Sequence, residues 1–309
     1  MKMHSLGLAA IALAAVAAPM LAQSLGQGQA VVTVLPKKDG PLPPSILQQD
    51  LAVKVDGKNA TVTTWKQYAP DSKIELVLLI DGGARSSLGR QTGDIEKFVN
   101  TLPPNVAAAI AYMQNGRSLF SGPLTLDHAA ILKNLHLTGG TAGISASPYF
   151  CLSELAKHWP ALDPAARREV VMITDGVDLY HPGFDPADPY VQEAITDATR
   201  AHLVVYSIYW SNRGFADARQ AESAAGQSLL NQVAQATGGT SFYLGTGNPV
   251  SFEGYFDELI RRFRNQWDLG VETAYSGKPQ VDELRLKLHA PGIEIDTPQK
   301  VQLDSAAAR

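Results

Sequence analysis

Apolar runs and amphipathic stretches alternate along the middle of the chain. IELVLLID (74–81), VAAAIAYM (106–113), EVVMITD (169–175) and LVVYSIYW (203–210) are nearly continuous apolar segments of strand length. Such runs belong to strands covered on both faces, as in a parallel sheet. Arg117–Phe120, after a turn at Asn115-Gly116, reads as a short edge strand, and TSFYLG (240–245) as another. Between these runs, residues 91–102, 127–136, 147–159, 190–201, 222–237 and 251–266 follow the helical period. Strands alternating with helices predict an α/β fold with a doubly wound, mostly parallel sheet.

Outside residues 73–266 the period changes to two. AVVTVL (30–35), LAVKVDGKNATVTTW (51–65), DLGVETAY (268–275), DELRLKLHAP (282–291) and IEIDTPQKVQL (293–303) alternate as half-buried strands do. Asp56-Gly57 marks a tight hairpin inside the second of these. The chain therefore divides into an N-terminal β-segment (23–72), an α/β domain (73–266) and a C-terminal β-segment (267–309). The two β-rich ends are candidates to pack together. Residues 1–22, MKMHSLGLAAIALAAVAAPMLA, have one Lys, a short apolar core and small residues before Ala22. They read as a secretory signal peptide cleaved near Ala22, which implies a periplasmic or extracellular protein. No later run is long enough to be a transmembrane anchor.

Composition narrows the function classes. The 309 residues are 45% hydrophobic and 18% charged, as in an ordinary globular protein. With 26 Lys and Arg against 30 Asp and Glu, the net charge is −4 and no basic stripe exists for nucleic acid. The single cysteine, Cys151, rules out an intramolecular disulfide and a cysteine metal cluster. It sits in a helical pattern with no cationic activator beside it, so it reads as a buried hydrophobe. The dinucleotide-binding GxGxxG, the Walker A motif, the GxSxG elbow of the mature chain and HExxH are all absent. Gly83 stands where a haloacid-dehalogenase-like phosphatase would carry a second Asp. The reading is not an enzyme.

The candidate chemistry lies at strand ends. Asp81 and Asp175 each close an apolar run, and ligands of open α/β sheets bind outside the carboxyl ends of the strands. Two neighbouring carboxylates repel and call for a cation, a shared proton or a basic side chain. Gly139-Gly140-Thr141 precedes a helical segment and offers N–H groups and a hydroxyl to the same rim. The loop LYHPGFDPADPY (179–190) adds Tyr180, His181, Phe184 and Tyr190 on a Pro-stiffened frame suited to partner recognition. His181 and Asp185 alone are too few ligands for a metal. Arg261-Arg262-Phe263-Arg264 fits the favourable end of a helix dipole.

Taken together, VLLIDGGARSS, LTGGTAG, VVMITDGVD, VVYSIYW, LLNQVAQATGGTSFYLG and FDELIRRFRNQWDLGVE resemble the von Willebrand factor type A domain over residues 74–275. The nearest likeness is to exported, acidobacterial-type bacterial relatives of that domain. The resemblance implies an adhesion or assembly module that binds another protein at this rim. It also implies a metal-ion-dependent adhesion site, usually holding Mg²⁺, made by Asp-x-Ser-x-Ser, a Thr and a further Asp. Asp81, Thr141 and Asp175 match; the two serine positions hold Gly83 and Arg85, so the site is degenerate. Ser86 and Ser87 lie close by as substitutes. An arginine repels a divalent ion. Two readings stay open: a metal-free rim in which Arg85 pairs with Asp81 or Asp175 or faces solvent, and an Mg²⁺ site. No bound cofactor is expected, with Mg²⁺ as the alternative. The candidate partner-binding residues are Asp81, Arg85, Ser86, Ser87, Thr141, Asp175, Tyr180 and His181.

Overall fold

The computed structural model describes residues 24–37, 46–136, 144–212, 220–245 and 247–305. The proposed signal peptide and Thr141 lie outside the described residues. Both ends of the chain build one sheet. β1 (Leu25–Pro36), β2 (Leu51–Val55), β3 (Lys58–Asn59) and β4 (Thr61–Gln67) come from the N-terminal side. β2 turns into β3 through Asp56 and Gly57, both with positive φ, which is the geometry a two-residue hairpin needs.

The central segment follows as β5 (Ile74–Asp81), α1 (Thr92–Thr101), β6 (Val106–Gln114), β7 (Arg117–Phe120), α2 (His128–Lys133), α3 (Pro148–Lys157) and β8 (Arg167–Thr174). It continues with α4 (Pro189–Arg200), β9 (Leu203–Tyr209), α5 (Gln220–Thr237), β10 (Ser241–Phe242) and α6 (Glu253–Phe263). The chain then returns to the first sheet as β11 (Gln266–Ala274), β12 (Gln280–Leu288), β13 (Ile293–Asp296) and β14 (Lys300–Ser305).

The central sheet has six strands in the order β10-β9-β8-β5-β6-β7. All its pairings are parallel except that of β7. Counted from β5, this is the doubly wound order 3-2-1-4-5-6, whose direction of winding reverses between β5 and β8. Every residue of β5 is buried, as its unbroken apolar run requires. Leu76, Leu78 and Ile80 face a core shared with α1, α2 and α6. Val77 and Leu79 face a second core built with α3, α4 and α5.

The expectation of a mostly parallel protein with flanking strands needs correction in proportion. The larger sheet is the other one. Its eight strands run β3-β2-β12-β14-β1-β11-β4, with β13 also on β1, and every pairing is antiparallel. Alternation identified these strands individually, but each half of the chain supplies only part of a sheet. β1 and β11 pair over nine positions although 233 or more residues separate them in sequence (Thr33 with Gln266). Val32, Val34, Val53, Leu269, Leu284 and Leu303 fill the core beneath, and Trp65 stacks on Trp267 with centroids 4.8 Å apart.

The two layers meet along α6, β1 and the amino ends of β8 and β9. Arg262 pairs with Asp296 and Glu258, Thr240 donates to Asp296 at 3.3 Å, and the Arg167 guanidinium donates to the Phe263 carbonyl at 2.9 Å. The opposite, carboxyl-terminal rim of the parallel sheet is left to its loops.

Candidate functional site

Asp81 ends β5 at the point where the strand order reverses, beside Asp175, which follows β8. The backbone after Asp81 turns sharply. A Cβ on Gly82 would lie 2.6 Å from the Met113 carbonyl oxygen, so only glycine passes there. Gly83 then donates its N–H to Asp81 Oδ1 at 2.8 Å. Asp81 Oδ2 accepts from the Thr174 hydroxyl at 2.9 Å and from the Asn212 amide at 3.1 Å. Asn212 reaches back as well, accepting from the Arg85 N–H at 3.2 Å. One amide thus ties the loop after β5 to the loop after β9. Burial pushes the Asp81 carboxyl above its ordinary range, and these hydrogen bonds oppose the shift.

Asp175 is buried and accepts from the Val177 N–H at 3.0 Å. Its loop is clamped from behind by α5. A Cβ on Gly226 would stand 2.1 Å from the Asp175 carbonyl oxygen, so glycine alone allows this contact. Further along, Asp178 accepts from the Ser147 hydroxyl at 3.0 Å and the Tyr180 N–H at 2.8 Å, and burial raises its carboxyl. Tyr149 donates its hydroxyl to the Gly176 carbonyl at 2.8 Å.

The 179–190 loop is fastened at its far end. Asp188 caps α4 by accepting from the Tyr190 and Val191 N–H groups, and it bonds His181 Nδ1 at 2.7 Å. His181 lies flat on Tyr190, whose ring also meets Phe150 and Tyr180. Leu179, Tyr180 and Phe184 remain exposed, Tyr180 at 59% and Phe184 at 55%. The pairing of His181 with Asp185 is not formed: Asp185 instead accepts from Ala187 N within its own turn, and Asp188 takes the imidazole.

Several sequence expectations can now be placed. Asp81 and Asp175 share the rim with Tyr180 and His181. Of the three places open to Arg85, beside Asp81, beside Asp175 or toward solvent, the described bonds of Asp81 do not include its guanidinium. Arg85 is exposed, and the Asp81 partners include Gly83, Thr174, Asn212 and the Ser145 side chain. The physical reason is reach and dehydration: an amide already beside the buried carboxylate satisfies it without burying a guanidinium. Ser86 and Ser87 begin a short 3-10 turn, exposed and half-buried, and neither is among the described donors to Asp81. Thr174, Asn212 and Ser147 were not singled out from the sequence. Thr174 carried a usable signal, because it immediately precedes Asp175 at the end of the same buried run.

The donor set can be tested against a divalent ion. A hard cation takes carboxylate, hydroxyl or carbonyl oxygens with free lone pairs. At this rim Gly83 presents an N–H and the amide of Asn212 presents its donor side to Asp81, whose Oδ1 accepts one described hydrogen bond and Oδ2 two. Among the described residues, no group of three or more His, Cys, Asp or Glu side chains is placed to hold a metal ion. The oxygen ligands described at this rim are the Asp81 and Asp175 carboxyls and the Thr174 hydroxyl, while Gly83 and Arg85 stand at the two serine positions.

No family model matches this chain, and no curated protein is significantly similar to it. Among solved structures it is similar to an aerotolerance-related membrane protein from Bacteroides fragilis, with 14% identity over 61% of this chain and 98% of that one and a TM-score of 0.42. It is also similar to BatB from Bacteroides thetaiotaomicron, a conserved hypothetical protein, with 15% identity, 62% and 97% coverage and a TM-score of 0.42. The VWA domain of SpRpn10 follows at 13% identity, 58% and 98% coverage and a TM-score of 0.35. Overlaps this loose carry no argument about activity, partner or metal. No helix among the described residues is long and apolar enough to cross a membrane.

Proposed function

We propose that this chain is an exported protein-binding module of the von Willebrand A-like kind. It binds through the carboxyl-terminal rim of its parallel sheet, uses no bound metal ion and catalyses no reaction. The observation that carries this reading is that Asp81 is served by protein donors, accepting from Gly83, Thr174 and Asn212. Beside the metal position the rim presents Arg85 on its exposed face, and next to it the ledge of Leu179, Tyr180 and Phe184 as the contact surface. A guanidinium pairs directly with a carboxylate, and stiff aromatic anchors lose little freedom on binding. The ledge is held by the Asp188–His181 bond and the Tyr190 stack, so it is preorganised.

The test is capture of partners from the native envelope fraction with wild type, with Arg85→Ala and with Tyr180→Ala/Phe184→Ala, each with and without EDTA. The proposal expects a captured protein that survives EDTA and is lost in the rim variants while the variants stay folded. Capture abolished by EDTA, or unchanged in both variants, contradicts it.

A further inference from the structure

The joint between the two layers buries a positive charge. Arg167 opens β8 and is only 6% exposed. Its Nη1 donates to the Phe263 carbonyl and the Gln266 side chain, and its guanidinium lies 4.6 Å over the Tyr68 ring. Its Nε has no acceptor, and it takes part in no ion pair among the described residues. The acid nearest in sequence on the same strand face is Glu169, fully buried with neither carboxyl oxygen hydrogen-bonded. Burial pushes that carboxyl up to about 8, while the Arg167 charge and the Gln266 side chain pull it back down. A guanidinium stays charged in proteins, and buried charges are otherwise found paired.

Arg167 also lines a crevice. The cavity has a volume of about 460 Å³ and runs between β1, the amino ends of β8 and β9, and the start of β14. That is within the usual range for small-molecule sites, which lies at roughly 300–1,000 Å³. Its charged lining is Arg167, Arg168 and Lys300 against Asp268. Asp268 is partly occupied by the Gln29 amide at 2.9 Å. The crevice is therefore locally positive in a chain whose net charge is −4. Tyr68, Pro164 and Val301 supply apolar wall. The carboxyl ends of α4 and α5 face the same space and oppose an anion, but Arg168 covers the Ala201 carbonyl at 3.1 Å.

We propose that the crevice between the two layers is a binding site for a small organic anion. Its apolar body lies against Tyr68, Pro164 and Val301, and its anionic group sits between Arg168 and Lys300 with the Arg167 charge behind. This site is separate from the rim and stands whether or not the rim binds a protein.

The probe is 1-anilinonaphthalene-8-sulfonate, an apolar body with one anionic group, titrated into the full chain at pH 7 and followed by fluorescence and calorimetry. The expected result is saturable binding at one site, weakened about tenfold or more by Lys300→Glu and by Arg168→Glu and unchanged by Tyr180→Ala. The neutral analogue N-phenyl-1-naphthylamine should bind about tenfold more weakly than the sulfonate. Lys300 and Arg168 are partly exposed, so these variants stay folded, as circular dichroism will show. Glu169→Gln should leave the affinity unchanged. Non-saturable binding, equal affinity for the neutral analogue, or indifference to Lys300→Glu overturns the proposal. So does a tenfold gain in Glu169→Gln, which would make Glu169 the counter-ion of Arg167.

Discussion

Thr174→Val isolates the hydrogen bond that closes the rim. Valine keeps the shape and removes only the hydroxyl that donates to Asp81 Oδ2 at 2.9 Å. A buried hydrogen bond contributes ~0.5–1.5 kcal/mol to a neutral acceptor and ~1.5–3 kcal/mol to a charged one. The same hydroxyl also accepts a long bond from Gly176 N at 3.3 Å, a small further loss. The added methyl group is buried and returns ~0.8 kcal/mol. The net expectation at pH 7 is a loss of about 2 kcal/mol. The sign with pH is also fixed. The folded Asp81 carboxyl titrates above its unfolded value of 3.8, so its contribution to stability falls as pH rises through the window between the two. Thr174→Val removes a donor that favours the ionised form, so it widens that window upward. Below the unfolded value Asp81 is protonated in both states, and the cost shrinks to that of a neutral hydrogen bond, about 1 kcal/mol. The assay is urea unfolding at pH 7 and pH 3 followed by tryptophan fluorescence and far-UV circular dichroism, with coincident transitions required. A cost below ~0.5 kcal/mol at pH 7, or an equal cost at both pH values, would refute the reasoning.

Three further outcomes are expected. Gly226→Ala drives a methyl group into the Asp175 carbonyl and should lower stability by ~1–3 kcal/mol in the same unfolding assay; a neutral effect would mean α5 does not clamp the rim. Glu169→Gln should stabilise the protein at pH 7, on the order of 1–3 kcal/mol, because the buried carboxyl titrates at about 8 in the fold against 4.5 unfolded. That gain should be small at pH 4, grow up to about pH 8 and then level off; a pH-independent difference would contradict it. Cys151, whose thiol burial pushes up to about 12, should react with iodoacetamide at pH 8 about a hundredfold more slowly in the folded than in the urea-unfolded chain. Equal rates would place that thiol at the surface.

The two rim aspartates were readable because each ends an apolar run, and the β5 and β8 runs are buried at nearly every position. The Asp56-Gly57 hairpin was readable for the same kind of local reason, since two positive φ values in succession favour that dipeptide. What closes the rim was not. Asn212 lies 131 positions from Asp81, in a polar loop with no periodic pattern, so nothing near either residue announces their bond. The two β-rich ends do pair, as their shared alternation suggested, but the strand order and register of the eight-stranded sheet were not readable for a related reason. Alternation in VTV and GVE marks strands, but the pairing of Val32 with Trp267 depends on the α/β segment bringing its two ends together. The place of Arg85 was left open between two aspartates and solvent, because charge alone does not show that a neutral amide already serves Asp81.

The central claim is that protein donors, and not a divalent ion, satisfy the rim carboxylates. Calorimetric titration of the purified chain with Mg²⁺ and with Mn²⁺ tests it most directly. The account predicts no saturable heat in wild type and none in Asp175→Ala. Stoichiometric binding in wild type that Asp175→Ala abolishes would contradict it.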